Sequence, residues 1–211
     1  MKLESRDLLL YAITDRSWLG EKTLPQVVEE AILGGASFIQ LREKNLSYQD
    51  FLRAAIEVKV VTDKYKIPFV INDNVDIAAE SGADGVHIGQ SDEGIKSARE
   101  KLGKDKIIGL SACTVEEAVI AEKAGADYLG VGTIFNTLTK SDERTVSKEE
   151  LKKICDTVKI PVVAIGGIST DNSLELKGTG IEGISVISAI FAKNDIKNAA
   201  RELFLLSQQI V

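Results

Sequence analysis

The chain has 211 residues, 44% of them hydrophobic and 27% charged, with a net charge of −6. That length builds a core without staples, and the composition excludes a disordered chain; no apolar run approaches the roughly 18 to 20 residues of a membrane span. The acidic balance argues against a nucleic-acid surface, which needs dense Lys/Arg patches, but leaves room for a small anionic substrate held by a few convergent cations.

Two cysteines, Cys113 and Cys155, stand far apart and in no metal-ligand spacing, so both are read as reduced packing residues. A single histidine, His87, excludes a histidine-rich zinc or iron site. The opening MKLESRDLLLYAITD carries an apolar stretch too short for a signal-peptide core and leads into Asp15 and Arg16 with no small-residue cleavage site. Cytoplasmic residence is the expectation.

Short apolar runs alternate along the chain with longer segments of helical period. The first run, 8–13 (LLLYAI), is followed by a helix over 23–35, which Thr23 caps, Pro25 opens and the pair Gly34 and Gly35 stops. A strand over 36–41 precedes a helix over 47–66, where Ser47 and Asp50 form a variant capping box and Phe51, Ala55 and Val58 define an apolar face. Further strands are expected at 69–72, 84–88, 107–110, 127–131, 161–165 and 183–187. Helical segments lie at 74–82, 93–103, 114–125, 148–158, 170–180 and 195–209.

Eight strand-then-helix units can close into a barrel or stay open as a doubly wound sheet. Short strands and even spacing favour closure, so the expected fold is α/β, a (β/α)8 TIM barrel filling 1–211 as a single compact domain. A weak echo among 34–41, 82–89, 125–132 and 180–187, two units apart, agrees with that architecture. At this length, short of the about 250 residues usual for the fold, the loops must be compact.

In such a barrel the chemistry sits past the C-terminal ends of the strands. After the second strand, Gln40, Arg42 and Lys44 share one alternating face and can converge on an anion; a solvated loop start is the plainer reading. The third strand ends in Asn72 and Asp73 and the fourth leads to Asp92, two carboxylates suited to one hard cation such as Mg2+, or to simple ion pairs. His87 reads as a structural or substrate-orienting residue. Ser111 ends the fifth strand as a hydrogen-bond partner, with no legible base to activate it.

The long stretch after the sixth strand carries Thr137, Thr139 and Lys140, hydroxyls and a cation suited to clamping a phosphoryl group. Gly166 and Gly167 after the seventh strand, with Ser188 after the eighth, suit a second anion site built from backbone N–H groups and a hydroxyl. An enzyme joining a diphosphate-bearing fragment to a monophosphate-bearing one needs two such sites.

From about Leu10 to Ala192 the chain resembles thiamine phosphate synthases: QLREK at 40–44, ND at 72–73, HIGQSD at 87–92, the T-x-TK of 137–140, AIGGI at 164–168 and VISAI at 186–190 carry the likeness. The resemblance implies condensation of 4-amino-2-methyl-5-(diphosphooxymethyl)pyrimidine with 4-methyl-5-(2-phosphooxyethyl)thiazole, by Mg2+-assisted, dissociative loss of diphosphate. It implies that Gln40, Leu41, Arg42, Glu43, Lys44, Asn72, Ser111 and Lys140 hold the pyrimidine diphosphate, with Arg42, Lys44, Ser111 and Lys140 catalytic. Asp73 and Asp92 would bind Mg2+, and Thr137, Leu138, Thr139, Gly167, Ile187 and Ser188 the thiazole phosphate. One departure is that TIFNTLTK lacks the prolines that commonly flank the IF and T positions in the family. Implied partners are small phosphorylated heterocycles, with no nucleic acid or membrane, and a homo-oligomer is compatible because barrels often self-associate. The rival readings are a thiazole tautomerase paralogue, another phosphate-binding barrel such as a sugar-phosphate epimerase, and a non-catalytic binder.

Overall fold

The computed structural model describes residues 3–90, 94–136 and 144–211. Eight strands, β1 (Leu10–Ile13), β2 (Phe38–Leu41), β3 (Phe69–Asn72), β4 (Gly85–Ile88), β5 (Ile107–Ala112), β6 (Tyr128–Val131), β7 (Val162–Ile165) and β8 (Gly183–Val186), pair in parallel and in sequence order. The ring closes where β1 meets β8, with Tyr11 beside Ser185. Strands covered on both faces read as near-continuous apolar runs, and β1, β2, β6 and β8 are buried throughout, with Gln40 and Ser185 among their few polar positions.

The helices are α1 (Leu24–Gly34), α2 (Tyr48–Tyr65), α3 (Val75–Glu80), α4 (Ile95–Leu102), α5 (Val115–Ala124), α6 (Lys148–Thr157), α7 (Ser188–Phe191) and α8 (Ile196–Ile210). Local side chains start most of them. Thr23 and Gln26 form a full capping box on α1, Ser47 Oγ accepts from the Asp50 amide on α2, and Asn74, Thr114, Ser147 and Asp195 cap α3, α5, α6 and α8. None of the helices among the described residues is long and apolar enough to cross a membrane.

Two expectations need correction. The first strand begins at Leu10 rather than residue 8, because Ser5–Leu8 forms a 3-10 turn that leaves the buried Leu8 inside the base of the barrel, its carbonyl against Gly183. The segment 170–180 holds a 3-10 turn, Ser173–Leu176, instead of a full helix. Its apolar residues do not repeat at three to four residue spacing, and Gly178 and Gly180 both have positive φ, so no helical stripe can form.

The apolar residues fall into two separate groups. Leu129, Leu151, Ile154, Leu203 and their neighbours fill the layer between barrel and helices, where every member is aliphatic, alanine or phenylalanine. Inside the barrel sits a smaller group that includes Tyr11, Phe38, Val70, Ile107, Tyr128 and Val163. The closing seam is tight on the outside as well: a Cβ on Gly34 of α1 would stand 2.3 Å from the Lys197 carbonyl oxygen of α8 and 2.6 Å from the Ala200 Cβ.

Candidate active site

Parity places Tyr11, Gln40, His87, Ser111 and Tyr128 inside the barrel, and they form one chain of hydrogen bonds. Gln40 Nε2 donates to Tyr11 Oη. Tyr11 Oη lies 2.8 Å from Tyr128 Oη, which lies 2.9 Å from His87 Nδ1; His87 Nε2 in turn lies 3.0 Å from Ser111 Oγ. Tyr11 and Tyr128 are fully buried, and burial holds both phenols far above their ordinary pKa range. The rings of Tyr11, Phe38 and Tyr128 pack with centroids 4.6 to 5.9 Å apart.

Two glycines make the room. A Cβ on Gly109 would meet the Tyr128 ring at 2.2 Å, and one on Gly130 would stand 3.1 Å from His87 Cε1. The small residues of β5 and β6 thus shape a slot in which phenol and imidazole lie fixed.

At the rim, β2 ends at Leu41, so the alternating face expected for Gln40, Arg42 and Lys44 is not continued by strand geometry. Gln40 is 2% exposed and turned into the interior chain. The Leu41 side chain is buried in the outer layer, which leaves only its backbone for a ligand. The Arg42 side chain is 10% exposed; its amide donates to Thr14 Oγ1 at 3.2 Å and its guanidinium stands 3.9 Å from Asp15. Glu43, 5% exposed, is clasped by the Arg16 guanidinium at 2.9 to 3.2 Å and serves as an anchor between two strand exits. Lys44 is exposed.

Asp73 follows β3 with φ +63°, the left-handed region that aspartate tolerates better than most residues. Its amide donates to the His87 carbonyl at 2.8 Å and its carboxylate accepts from Asn72 Nδ2, leaving an exposed hard-oxygen group at the mouth. Ser111 lies within β5, which runs on to Ala112, and its carbonyl accepts from Gln90 Nε2 at 2.7 Å. Asp92, Thr137, Leu138, Thr139 and Lys140 lie outside the described residues. The base of that sixth loop is closed by Thr133 N to Arg144 O, 3.1 Å, and Val146 N to Thr133 O, 2.8 Å. Arg144 also donates to Glu117, where burial opposes ionisation but the guanidinium and the Cys113 amide hold the carboxyl below its usual range.

A cavity of about 760 Å³ opens over the ends of β7 and β8, lined by Trp18, Asn136, Gly167, Ser185, Ile187 and Ser188 among others. Gly166 and Gly167 have φ of +98° and +64°. A Cβ on either would strike the sixth loop, at Thr133 or at the Phe135 and Asn136 carbonyls, so the pair is required by packing as much as by any ligand. Ser188 opens α7. Ser185 Oγ is buried with no hydrogen-bond partner among the described residues, and its residue lines the same cavity.

The expected residues that the structure describes divide into a polar rim at the ends of β2, β3 and β5, with Arg42, Lys44, Asp73 and Ser111, and a glycine- and hydroxyl-lined cavity at the ends of β7 and β8. Sequence reasoning missed Tyr11, Tyr128 and the 14–16 segment. Thr14, Asp15 and Arg16 are polar residues just past a strand, the same signal that singled out 40–44, and that signal was available in the sequence.

A closed parallel barrel with its polar groups gathered at the C-terminal ends of the strands defines a (β/α)8-barrel enzyme. A model of the family described as thiamine monophosphate synthase matches residues 10–190. Thiamine-phosphate synthase of Clostridium acetobutylicum is 54% identical over 202 residues, 96% of each chain, and that of Ruminiclostridium cellulolyticum is 53% identical over 197 residues, 93% of this chain and 94% of the relative. The solved thiamine phosphate pyrophosphorylase of Pyrococcus furiosus superposes with a TM-score of 0.91 at 42% identity, covering 98% of both chains. The chain belongs to the thiamine monophosphate synthase family and is a transferase. Similarity to 3-hexulose-6-phosphate synthase of Salmonella typhimurium, TM-score 0.71 at 19% identity, reflects the shared fold.

Proposed function

We propose that this chain condenses 4-amino-2-methyl-5-(diphosphooxymethyl)pyrimidine with 4-methyl-5-(2-phosphooxyethyl)thiazole, giving thiamine phosphate and diphosphate in the cytoplasm. The observation that carries the reading is the division of one barrel mouth into two polar regions: Arg42, Lys44, Asn72, Asp73 and Ser111 on one side, and the cavity of Gly167, Ile187 and Ser188 on the other. Arg42 and Lys44, joined by Lys140, stabilise the charge that grows on the departing diphosphate. Fixed cations and donors in a closed site do this better than water, and no general base is needed. The electron-rich aminopyrimidine carries the positive charge left on its methylene carbon until the thiazole nitrogen, oriented by its phosphate on Gly167 and Ser188, captures it. Thr137, Leu138 and Thr139 complete the thiazole side.

Asp73 and Asp92 are the proposed holders of Mg2+. Oxygen ligands of the Asp73 kind, exposed at the rim and fixed by a constrained backbone, fit that hard cation. When bound, the ion supplies further neutralisation of diphosphate charge.

Diphosphate release by the purified protein with both phosphorylated heterocycles and Mg2+ tests the reading. Turnover should need both substrates and fall about 100-fold or more in D73A, D92A and K140A, the size expected when a preorganised electrostatic contact is lost. Wild-type protein that binds the thiazole phosphate without turning over would overturn it in favour of an isomerase-like or binding role.

A further inference from the structure

We propose that the buried chain Gln40, Tyr11, Tyr128, His87 and Ser111 is a one-way hydrogen-bond relay that fixes the imidazole tautomer and turns the Ser111 hydroxyl proton toward the barrel mouth. Tyr11, Tyr128 and His87 are on this account positioning residues for Ser111. The functional part rests on the reading of Ser111 as a ligand of the diphosphate; the tautomer part does not.

The direction follows from counting protons. The Gln40 Nε2 group has only protons to give, so Tyr11 Oη accepts from it. A phenol carries one proton, and the arrangement that leaves no buried proton unpaired has Tyr11 donate its own to Tyr128 Oη. Tyr128, already an acceptor, donates in turn to His87 Nδ1. That nitrogen is therefore the unprotonated one, the neutral ring carries its proton on Nε2, and Nε2 donates to Ser111 Oγ. With that lone pair taken, the Ser111 O–H is left to donate elsewhere.

The opposite direction has the opposite chemistry. With Nδ1 protonated and Nε2 bare, Ser111 would give its proton to the imidazole and offer only lone pairs at the mouth, which repel a phosphate oxygen. The polarity set by an amide buried on β2 thus decides whether a hydroxyl on β5 can bind an anion. Burial of both phenols, the centroid-to-centroid ring contacts among Tyr11, Phe38 and Tyr128, and the slot over Gly109 and Gly130 keep the groups from rotating out of this order.

Because the chain contains one histidine, its imidazole nitrogens give an unambiguous NMR signal from uniformly 15N-labelled protein. In the substrate-free wild type, Nε2 should be protonated and Nδ1 should fall in the range of a hydrogen-bonded acceptor. Y128F should shift the ring to a mixture of tautomers and lower kcat/KM for the pyrimidine diphosphate about tenfold; Y11F should do the same more weakly. A wild-type ring protonated at Nδ1 would overturn the relay, as would an unchanged tautomer in a folded Y128F. Should Y128F not fold, the wild-type tautomer decides alone. None of these spectra needs substrate, so absence of wild-type turnover would sink the proposed function while leaving the relay to be judged by NMR.

Discussion

The layer outside the barrel and the space inside it are both buried, yet they are built on different rules. Outside, Leu129, Leu151, Ile154 and Leu203 make a continuous apolar packing, and its buried hydroxyls, such as Thr62 and Ser207, bond only back to their own helices, to the Lys59 and Phe204 carbonyls. Inside, large aromatics stand opposite bare glycines, and five polar side chains run through the middle. The outer layer holds the helices on, whereas the inner one is held still so that its upper end can do chemistry. Stability and activity should therefore separate between the two.

The largest effect on stability should come from the outer layer. Leu151→Ala removes a fully buried side chain from α6 and should destabilise by about 2–5 kcal/mol in denaturant titration, with kcat/KM unchanged while the protein is folded. A parallel loss of activity in the folded variant would break the separation. Gly109→Ala comes next: a methyl group 2.2 Å from the Tyr128 ring should destabilise by about 1–3 kcal/mol and also lower kcat/KM, because the ring it displaces holds His87.

A smaller effect separates backbone from side chain at the rim. Asp73→Gly and Asp73→Ala should lose activity equally, but the glycine variant should be more stable by about 1 kcal/mol, since only alanine is strained at φ +63°. Equal melting temperatures would show that the left-handed turn relaxes. Smallest of all, Ser185→Ala removes a buried hydroxyl that has no hydrogen-bond partner among the described residues, so stability should stay within about 0.5 kcal/mol or rise. A loss beyond 1 kcal/mol would point to an internal partner for that oxygen.

The outer layer was also the part legible in the sequence. Helix faces such as Phe51, Ala55 and Val58, and caps such as Thr23 and Ser47, are written within a few residues of one another. The exception, 170–180, failed for an equally local reason, its glycines and absent stripe. The interior obeys no such local rule. Tyr11 in LLLYAI and Tyr128 in DYLGV read as ordinary strand filling, and only closure of the ring brings hydroxyls 117 positions apart to 2.8 Å. Charged rim residues such as Arg42, Lys44 and Asp73 could be singled out because they interrupt apolar strands; the direction of Gln40, inward to Tyr11, could not, because it depends on where β2 stops.

The seam between β1 and β8 has a consequence for synthesis on the ribosome. β1 leaves the exit tunnel early, yet one of its two neighbours is among the last strands to be made. At about 5–20 residues per second, the nascent chain must keep that edge unpaired for on the order of ten to thirty seconds. During that interval the hydrophobic run at 8–13 is an open template for pairing with other chains. Pairing of β8 with β1 ends that period and docking of α8 on Gly34 holds the seam from outside, so a slow codon ahead of β8 or a weakened contact between α1 and α8 would lengthen the chain's dependence on chaperones.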